Sequence, residues 1–332
     1  MSSSTPAAIL LVGGRGTRLS PLTDRLPKPM LPVGGVPFTL HQVLQARSVG
    51  IKRIVLATSY LAEVFEPYFG DGSRFDLEIR YAVEEEALGT GGGIRNAAQL
   101  LGSDVDGDTP IVIFNGDVLS SHDLAGQIDF HKSRDADVTL YLTQVDDARA
   151  YGVVPTDSDG WVEAFLEKME NPITNQINAG CYVFRRSIID EIPAGRVVSV
   201  ERETFPSLLK SNRKVQGFLD LGYWRDIGTP AALIAASSDL ITGRFSSPAT
   251  PRPNSKNGHG YLAPTAVVSE SATIDEGSVI LDGAKIGENC MILGSIIGEN
   301  AIISDGAVIR TSFVAPGSQI ASISAEGEIL GF

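Results

Sequence analysis

The chain has 332 residues, a hydrophobic share of 43% and a formal net charge of −13. That length predicts two domains, and the apolar content supplies a real core and excludes a disordered chain. The acidic balance argues against nucleic acid or an anionic membrane as partner.

The first predicted element is an apolar run of strand length, Ala7-Ala8-Ile9-Leu10-Leu11-Val12. It breaks into Gly13-Gly14-Arg15-Gly16, and cations follow at Arg18 and Lys28. Glycines just after a buried strand let the backbone approach a ligand, and their N–H groups can wrap phosphate oxygens. Two common phosphate motifs are absent. Leu19 stands where the dinucleotide fingerprint needs its third glycine, and no Gly-Lys-Ser/Thr follows a longer spacer. Cations gathered on a glycine turn in an acidic chain point to a specific anionic ligand.

Helical patterns over 38–49, 61–69 and 92–101 alternate with strands over 53–57 and 77–83. Residues 110–114 form another short apolar strand, which opens into Asn115-Gly116-Asp117; later strands fall over 137–144 and 177–184. This alternation predicts an α/β fold, a doubly wound and mostly parallel Rossmann-like sheet whose ligands bind beyond the carboxyl ends of the strands. The glycine turn and Asn115-Gly116-Asp117 both fall at such ends, so one crevice can receive both.

Residues 243–262 are rich in Pro, Ser, Gly and Asn and read as a linker. Beyond them Val268, Ile274, Ile280, Ile286 and Ile292 recur every sixth residue. After a five-residue step the series resumes at Ile297, Ile303 and Ile309. Such a period fits neither helix nor alternating strand; it predicts a short left-handed parallel β-helix over 263–332, following a catalytic domain over 1–242. Hexapeptide helices that catalyse acyl transfer often use a histidine, and residues 263–332 contain none. The coil is therefore read as a packing or assembly surface, and a homo-oligomer, a dimer or larger, is expected.

Cys181 and Cys290 lie far apart with no metal-ligand spacing and read as buried thiols in a reducing compartment. No apolar stretch reaches membrane-spanning length, and the start Met1-Ser2-Ser3-Ser4-Thr5-Pro6 lacks the cationic run of a secretory signal. A cytoplasmic protein is expected. His41, His122, His131 and His259 belong to no motif and are read as surface or helix residues.

Gly-Gly-x-Gly-Thr-Arg-Leu, then Pro-Leu-Thr, then Lys-Pro resembles the signature of the sugar-1-phosphate nucleotidyltransferases. The resemblance covers nearly the whole chain and is nearest to the guanylyl-transferring branch, which uses GTP and mannose 1-phosphate to make GDP-mannose. It implies that Gly13, Gly14, Gly16 and Thr17 cradle the triphosphate and that Leu11 also binds the nucleotide. Arg18 would neutralise the leaving pyrophosphate and Lys28 would stand near the α-phosphate. Asp117 and, in Trp224-Arg225-Asp226-Ile227-Gly228, Asp226 match the family's metal carboxylates, which implies Mg²⁺ as cofactor. The stretch Glu84-Glu85-Glu86-Ala87-Leu88-Gly89-Thr90 resembles the loop that packs on the nucleobase, with Gly89 and Thr90 as its main candidates; the glutamates also read as a solvated charge run. Asn115 joins the nucleotide side.

Glu167-Lys168 resembles the element that binds the sugar hydroxyls and the sugar phosphate, with Met169 where a proline is usual. Gly152 and Asn178 fit the remaining sugar contacts. The same chemistry on a glucose, heptose or cyclitol phosphate, or with another nucleotide, stays open. Two other readings are a non-catalytic subunit that binds nucleotide-sugars and acyl transfer by the tail.

Overall fold

The computed structural model describes residues 5–332; the reading of Met1–Ser4 as non-secretory lies outside them. The chain forms two compact units. One comprises the chain up to Gly14 together with Gln42–Trp224, and the other comprises Arg15–His41 together with Arg225–Phe332.

The first unit is built on one sheet. Its parallel part joins β1 (Ala7–Leu11), β2 (Arg53–Thr58), β3 (Glu78–Val83) and β4 (Pro110–Asn115) in the order β3-β2-β1-β4. Ile9, Leu10, Ile54, Val55, Ile111 and Val112 are all fully buried. Strands covered on both faces read as unbroken apolar runs, and that is why residues 7–12 and 110–114 stand out in the sequence. Beyond β4 the sheet is mixed: β5 (Val138–Gln144) and β6 (Gln176–Arg185) pair antiparallel, β6 also runs antiparallel to β4, and β7 (Val215–Leu219) lies parallel to β5. The chain thus winds both ways from β1 and β4, the expected Rossmann-like switch point. Helices include α1 (Phe38–Ser48), α2 (Gly89–Ala98) and α3 (Leu124–Ser133), the last capped by Asp123, whose carboxylate accepts the Gly126 N–H at 2.9 Å.

In the second unit Thr229 caps α4 (Pro230–Ile241), with proline at its first turn. A parallel β-helix follows, beginning at Tyr261–Leu262. Its coils stack Ile274 on Ile292 on Ile309, Ile280 on Ile297 on Val314, and Ile286 on Ile303 on Ile320. Residues 274 to 309 of these stacks belong to the six-residue series, Val314 and Ile320 extend it, and all of them fill the core of the coil. The five-residue step falls where buried serines turn the corner. Ser295 N–H donates to Ser278 Oγ and Ser312 N–H to Ser295 Oγ, each at 3.1 Å. No helix among the described residues is long and apolar enough to cross a membrane, and both cysteines are buried free thiols.

His41 and His131 lie in α1 and α3, as the surface-or-helix reading allows, whereas His122 is neither helical nor exposed. His41, His122 and His131 are buried, and only His259 is exposed. His41 Nε2 lies 3.0 Å from the Val33 carbonyl, His122 stacks on Tyr141 with ring centroids 4.1 Å apart, and His131 Nδ1 is 2.9 Å from Thr139 Oγ1. Desolvation lowers all three to a pKa of about 4. An unfolded histidine takes up a proton near pH 6.5, so the unfolded chain binds more protons between pH 6.5 and 4. Their contribution to stability is complete above about pH 6.5 and is lost as the pH falls toward 4. Urea midpoints are expected to drop steeply from pH 7 to 4.5. His122→Gln should remove about one proton of that slope, and an unchanged slope would show that His122 titrates normally in the folded chain.

Candidate active site

In the first unit the switch point brings the two expected segments together. Leu11, the last residue of β1, pairs in register with Asn115, the last of β4. Gly116 then turns back, its N–H donating to the Leu11 carbonyl at 3.0 Å, and this places Asp117 just past the strand end. Gly13 is held by Ser59, whose hydroxyl donates to the Gly13 carbonyl at 2.6 Å, while Gly14 is exposed with nothing near its Cα substituent position.

Glu84 is half-buried, and burial raises its carboxyl above the usual range. Its Oε2 accepts the Leu88 N–H at 3.0 Å ahead of α2, so Glu84 acts as a loop brace; Glu85 and Glu86 are exposed, as a solvated run requires. Gly89 is exposed and left-handed, with φ +71°. The Thr90 hydroxyl is committed to the scaffold: it donates to Glu201 Oε2 at 2.8 Å and accepts the Val200 N–H at 2.9 Å.

The sugar-side candidates also gather in this unit. Gly152 and Glu167 are cross-strand partners, and a Cβ on Gly152 would lie 2.9 Å from Glu167 Oε2. Only glycine leaves that carboxylate its place. Lys168 follows, exposed and left-handed at φ +48°, with its N–H on the Tyr151 carbonyl at 3.3 Å. The Glu-Lys pair is thus presented although Met169 replaces the proline. Asn178 starts a bulge in β6, where Gly180 adopts φ +80° and donates its N–H to Asn178 Oδ1 at 3.1 Å. Trp224 Nε1 braces the bulge from outside by donating to the Ala179 carbonyl at 3.0 Å.

The second unit holds the charged group. Gly16, at φ +61°, opens a short turn over Thr17–Leu19, and its carbonyl accepts the Thr23 hydroxyl at 3.1 Å. A Cβ there would stand 2.8 Å from Lys28 Cβ, so glycine lets the turn rest on the lysine stem. Lys28 is buried and its Nζ lies 4.0 Å from Asp226 Oδ1. Arg18 completes the group: a Cβ on Gly228 would meet both Asp226 Oδ2 at 2.8 Å and Arg18 Nη1 at 3.0 Å. Thr17 and Arg18 are exposed on this turn. Two cations thus stand around one carboxylate beside the exposed turn of Thr17 and Arg18.

The carboxylates that the sequence marks for a metal are Asp117 in the first unit and Asp226 in the second. Among the described residues no three His, Cys, Asp or Glu side chains converge as a cage. A single carboxylate in either unit suits a hard cation completed by substrate phosphates and water, and does not suit a closed structural site.

Sequence reasoning missed Tyr182, Glu201, Ser59 and Trp224. Tyr182 reads as ordinary core in the sequence, because the bulge between Asn178 and Tyr182 interrupts the alternation of the strand. Glu201 and Ser59 carried no signal, since their partners are remote in sequence.

A doubly wound sheet with a glycine turn, flanking cations and strand-end carboxylates defines a protein that handles phosphorylated nucleotides. The chain belongs to the nucleotidyl transferase family, whose model matches residues 7–243. It is 49% identical over 297 residues to the mannose-1-phosphate guanylyltransferase of Mycobacterium tuberculosis, spanning 89% of this chain and 80% of that protein. It is 36% identical over 289 residues to the mannose-1-phosphate guanyltransferase of Neurospora crassa, spanning 85% of this chain and 74% of that one. Among solved structures, HddC from Yersinia pseudotuberculosis complexed with GMP-PN superposes with a TM-score of 0.58 at 29% identity, covering 71% of this chain and 99% of that one.

Proposed function

We propose that this chain transfers a guanylyl group from GTP to mannose 1-phosphate, forming GDP-mannose and releasing pyrophosphate. The observation that carries the proposal is the 49% identity, sustained over 89% of the chain, to a mannose-1-phosphate guanylyltransferase. The reaction brings two polyanions together, so the protein works chiefly by positioning and by neutralising charge. Gly13, Gly14, Gly16 and Thr17 offer backbone to the triphosphate, Leu11 lies on the nucleotide side, Arg18 meets the departing pyrophosphate, and buried Lys28 holds a fixed charge at the α-phosphate. Gly89 and Asn115 face the nucleoside; Glu84 and Thr90 serve it by fixing the loop that carries Gly89. Gly152, Glu167, Lys168 and Asn178 receive the sugar phosphate. Mg²⁺, held by Asp117 and Asp226 with the substrate phosphates, would polarise the α-phosphate.

The same reading takes residues 1–242 as the catalytic domain, 243–262 as a linker and 263–332 as an assembly coil that supports a dimer or larger oligomer in the cytoplasm. The test is pyrophosphate release across a matrix of GTP, ATP, UTP and dTTP against mannose, glucose, heptose and cyclitol 1-phosphates. GTP with mannose 1-phosphate is expected to give the highest kcat/KM. A preference for another base or sugar removes the specific assignment, and GDP-sugar binding without any turnover removes the enzyme.

A further inference from the structure

Asn115 and Asn178 stand on different strands, β4 and β6, yet share one acceptor. The Tyr182 hydroxyl oxygen accepts from Asn178 Nδ2 at 2.8 Å and from Asn115 Nδ2 at 3.3 Å. The tyrosine is fully buried, its ring edge-on to Phe205 at 5.1 Å and to Phe184 at 6.3 Å. That ring environment would suit phenylalanine as well. A buried hydroxyl carries a desolvation cost unless it is hydrogen-bonded, and the bonds it makes here run to these two amides.

These bonds do not use up either amide. Asn178 gives its oxygen to the Gly180 N–H and one N–H to Tyr182, which leaves its second N–H. Asn115 has its Nδ2 on Tyr182 and its Oδ1 buried without a hydrogen-bond partner. The charges of Glu201, which holds Thr90, and of Asp117 also act on the phenol, and with burial they keep it protonated. Tyr182 is therefore the point where the Asn115 turn and the Asn178 bulge meet.

We propose that Tyr182 is a positioning residue that couples the nucleotide and sugar-phosphate halves of the site: its hydroxyl ties the orientations of the Asn115 and Asn178 amides, so a ligand that fixes one amide pre-orders the other. The inference rests on the reading that Asn115 faces the nucleotide and Asn178 the sugar phosphate. A merely structural tyrosine would affect stability and leave the two ligands independent.

The experiment is calorimetric titration of the full-length chain, with Mg²⁺, using α,β-methylene GTP, which cannot be transferred. It is run alone and at saturating mannose 1-phosphate. In the wild type, sugar phosphate is expected to tighten nucleotide binding about fivefold or more. In Tyr182→Phe each ligand alone should bind within about threefold of wild type, while the coupling falls below about twofold. Phe205→Leu, which keeps the hydroxyl but unseats the ring, should weaken coupling in the same direction, and it carries the test if Tyr182→Phe does not fold. Full coupling in a folded Tyr182→Phe, or no coupling in wild type that binds both ligands, overturns the proposal. Failure of wild type to bind either ligand overturns the functional reading itself.

Discussion

Asp226→Asn is expected to lower turnover on the order of 10³-fold while the chain stays folded. The substitution keeps the shape of the side chain and removes its charge, in a group where Lys28 lies 4.0 Å away and Arg18 crowds the same glycine. Without the negative charge the two cations remain and only a neutral amide oxygen is left, so a divalent ion binds more weakly where charge develops. The stability loss should be small, on the order of 1 kcal/mol, because the Asp226 side chain keeps 24% of its surface in water and the ion pair is long. The competing account is that Asp226 is only the counterion that keeps Lys28 buried. That account predicts the reverse pattern, a large drop in stability with modest loss of rate. Pyrophosphate release measured across a Mg²⁺ titration, together with a urea midpoint, separates the two. Full activity of the variant at limiting Mg²⁺ would remove Asp226 from the metal site. Asp117→Asn should show the same rate loss, since that residue offers the other strand-end carboxylate.

The β-helix was legible because its inward positions repeat one residue type. Ile274, Ile292 and Ile309 stack directly, and even the five-residue step marked a real corner, where the serine ladder replaces a longer turn. The parallel half of the sheet was legible for a related reason, since burial on both faces writes itself as an apolar run. What stayed hidden depends on long-range pairing. Periodicity finds the strand at 177–184 but not its antiparallel neighbours or its bulge, so Tyr182 looks like ordinary core. Thr90 sits in a visible motif, yet its hydroxyl is engaged by Val200 and Glu201, more than a hundred residues later. The joining of residues 15–41 to the C-terminal part is equally remote, as in the Gly34 N–H donated to Ser237 Oγ at 2.9 Å. Histidine burial likewise follows from partners such as Ser247 on His41. The site candidates were legible because glycine, cation and carboxylate occur in family order; which of them touch a ligand and which hold the scaffold is decided by their hydrogen bonds.

Two glycines that look alike in sequence should answer oppositely to alanine. Gly116→Ala is expected to destabilise the chain by about 3 kcal/mol, because the new Cβ would fall inside the Leu11 carbonyl oxygen. The methyl is fixed to the backbone and the carbonyl is main chain, so no rotamer change suffices; relief requires β1 and β4 to part where Leu11 and Asn115 are in register. Activity should fall with stability, since Asn115 and Asp117 flank the substitution. Gly14→Ala meets nothing within 4 Å and needs no left-handed backbone, so its stability should stay within about 0.5 kcal/mol of wild type. Its effect should appear instead in binding: a methyl group over the exposed turn blocks the close approach of phosphate and raises KM for GTP about tenfold, with kcat little changed. Urea melts and initial rates on the two variants test both halves. A stable, fully active Gly116→Ala would disprove the tight junction of β1 and β4. An unchanged KM in Gly14→Ala would mean that the triphosphate does not lie over the glycine turn.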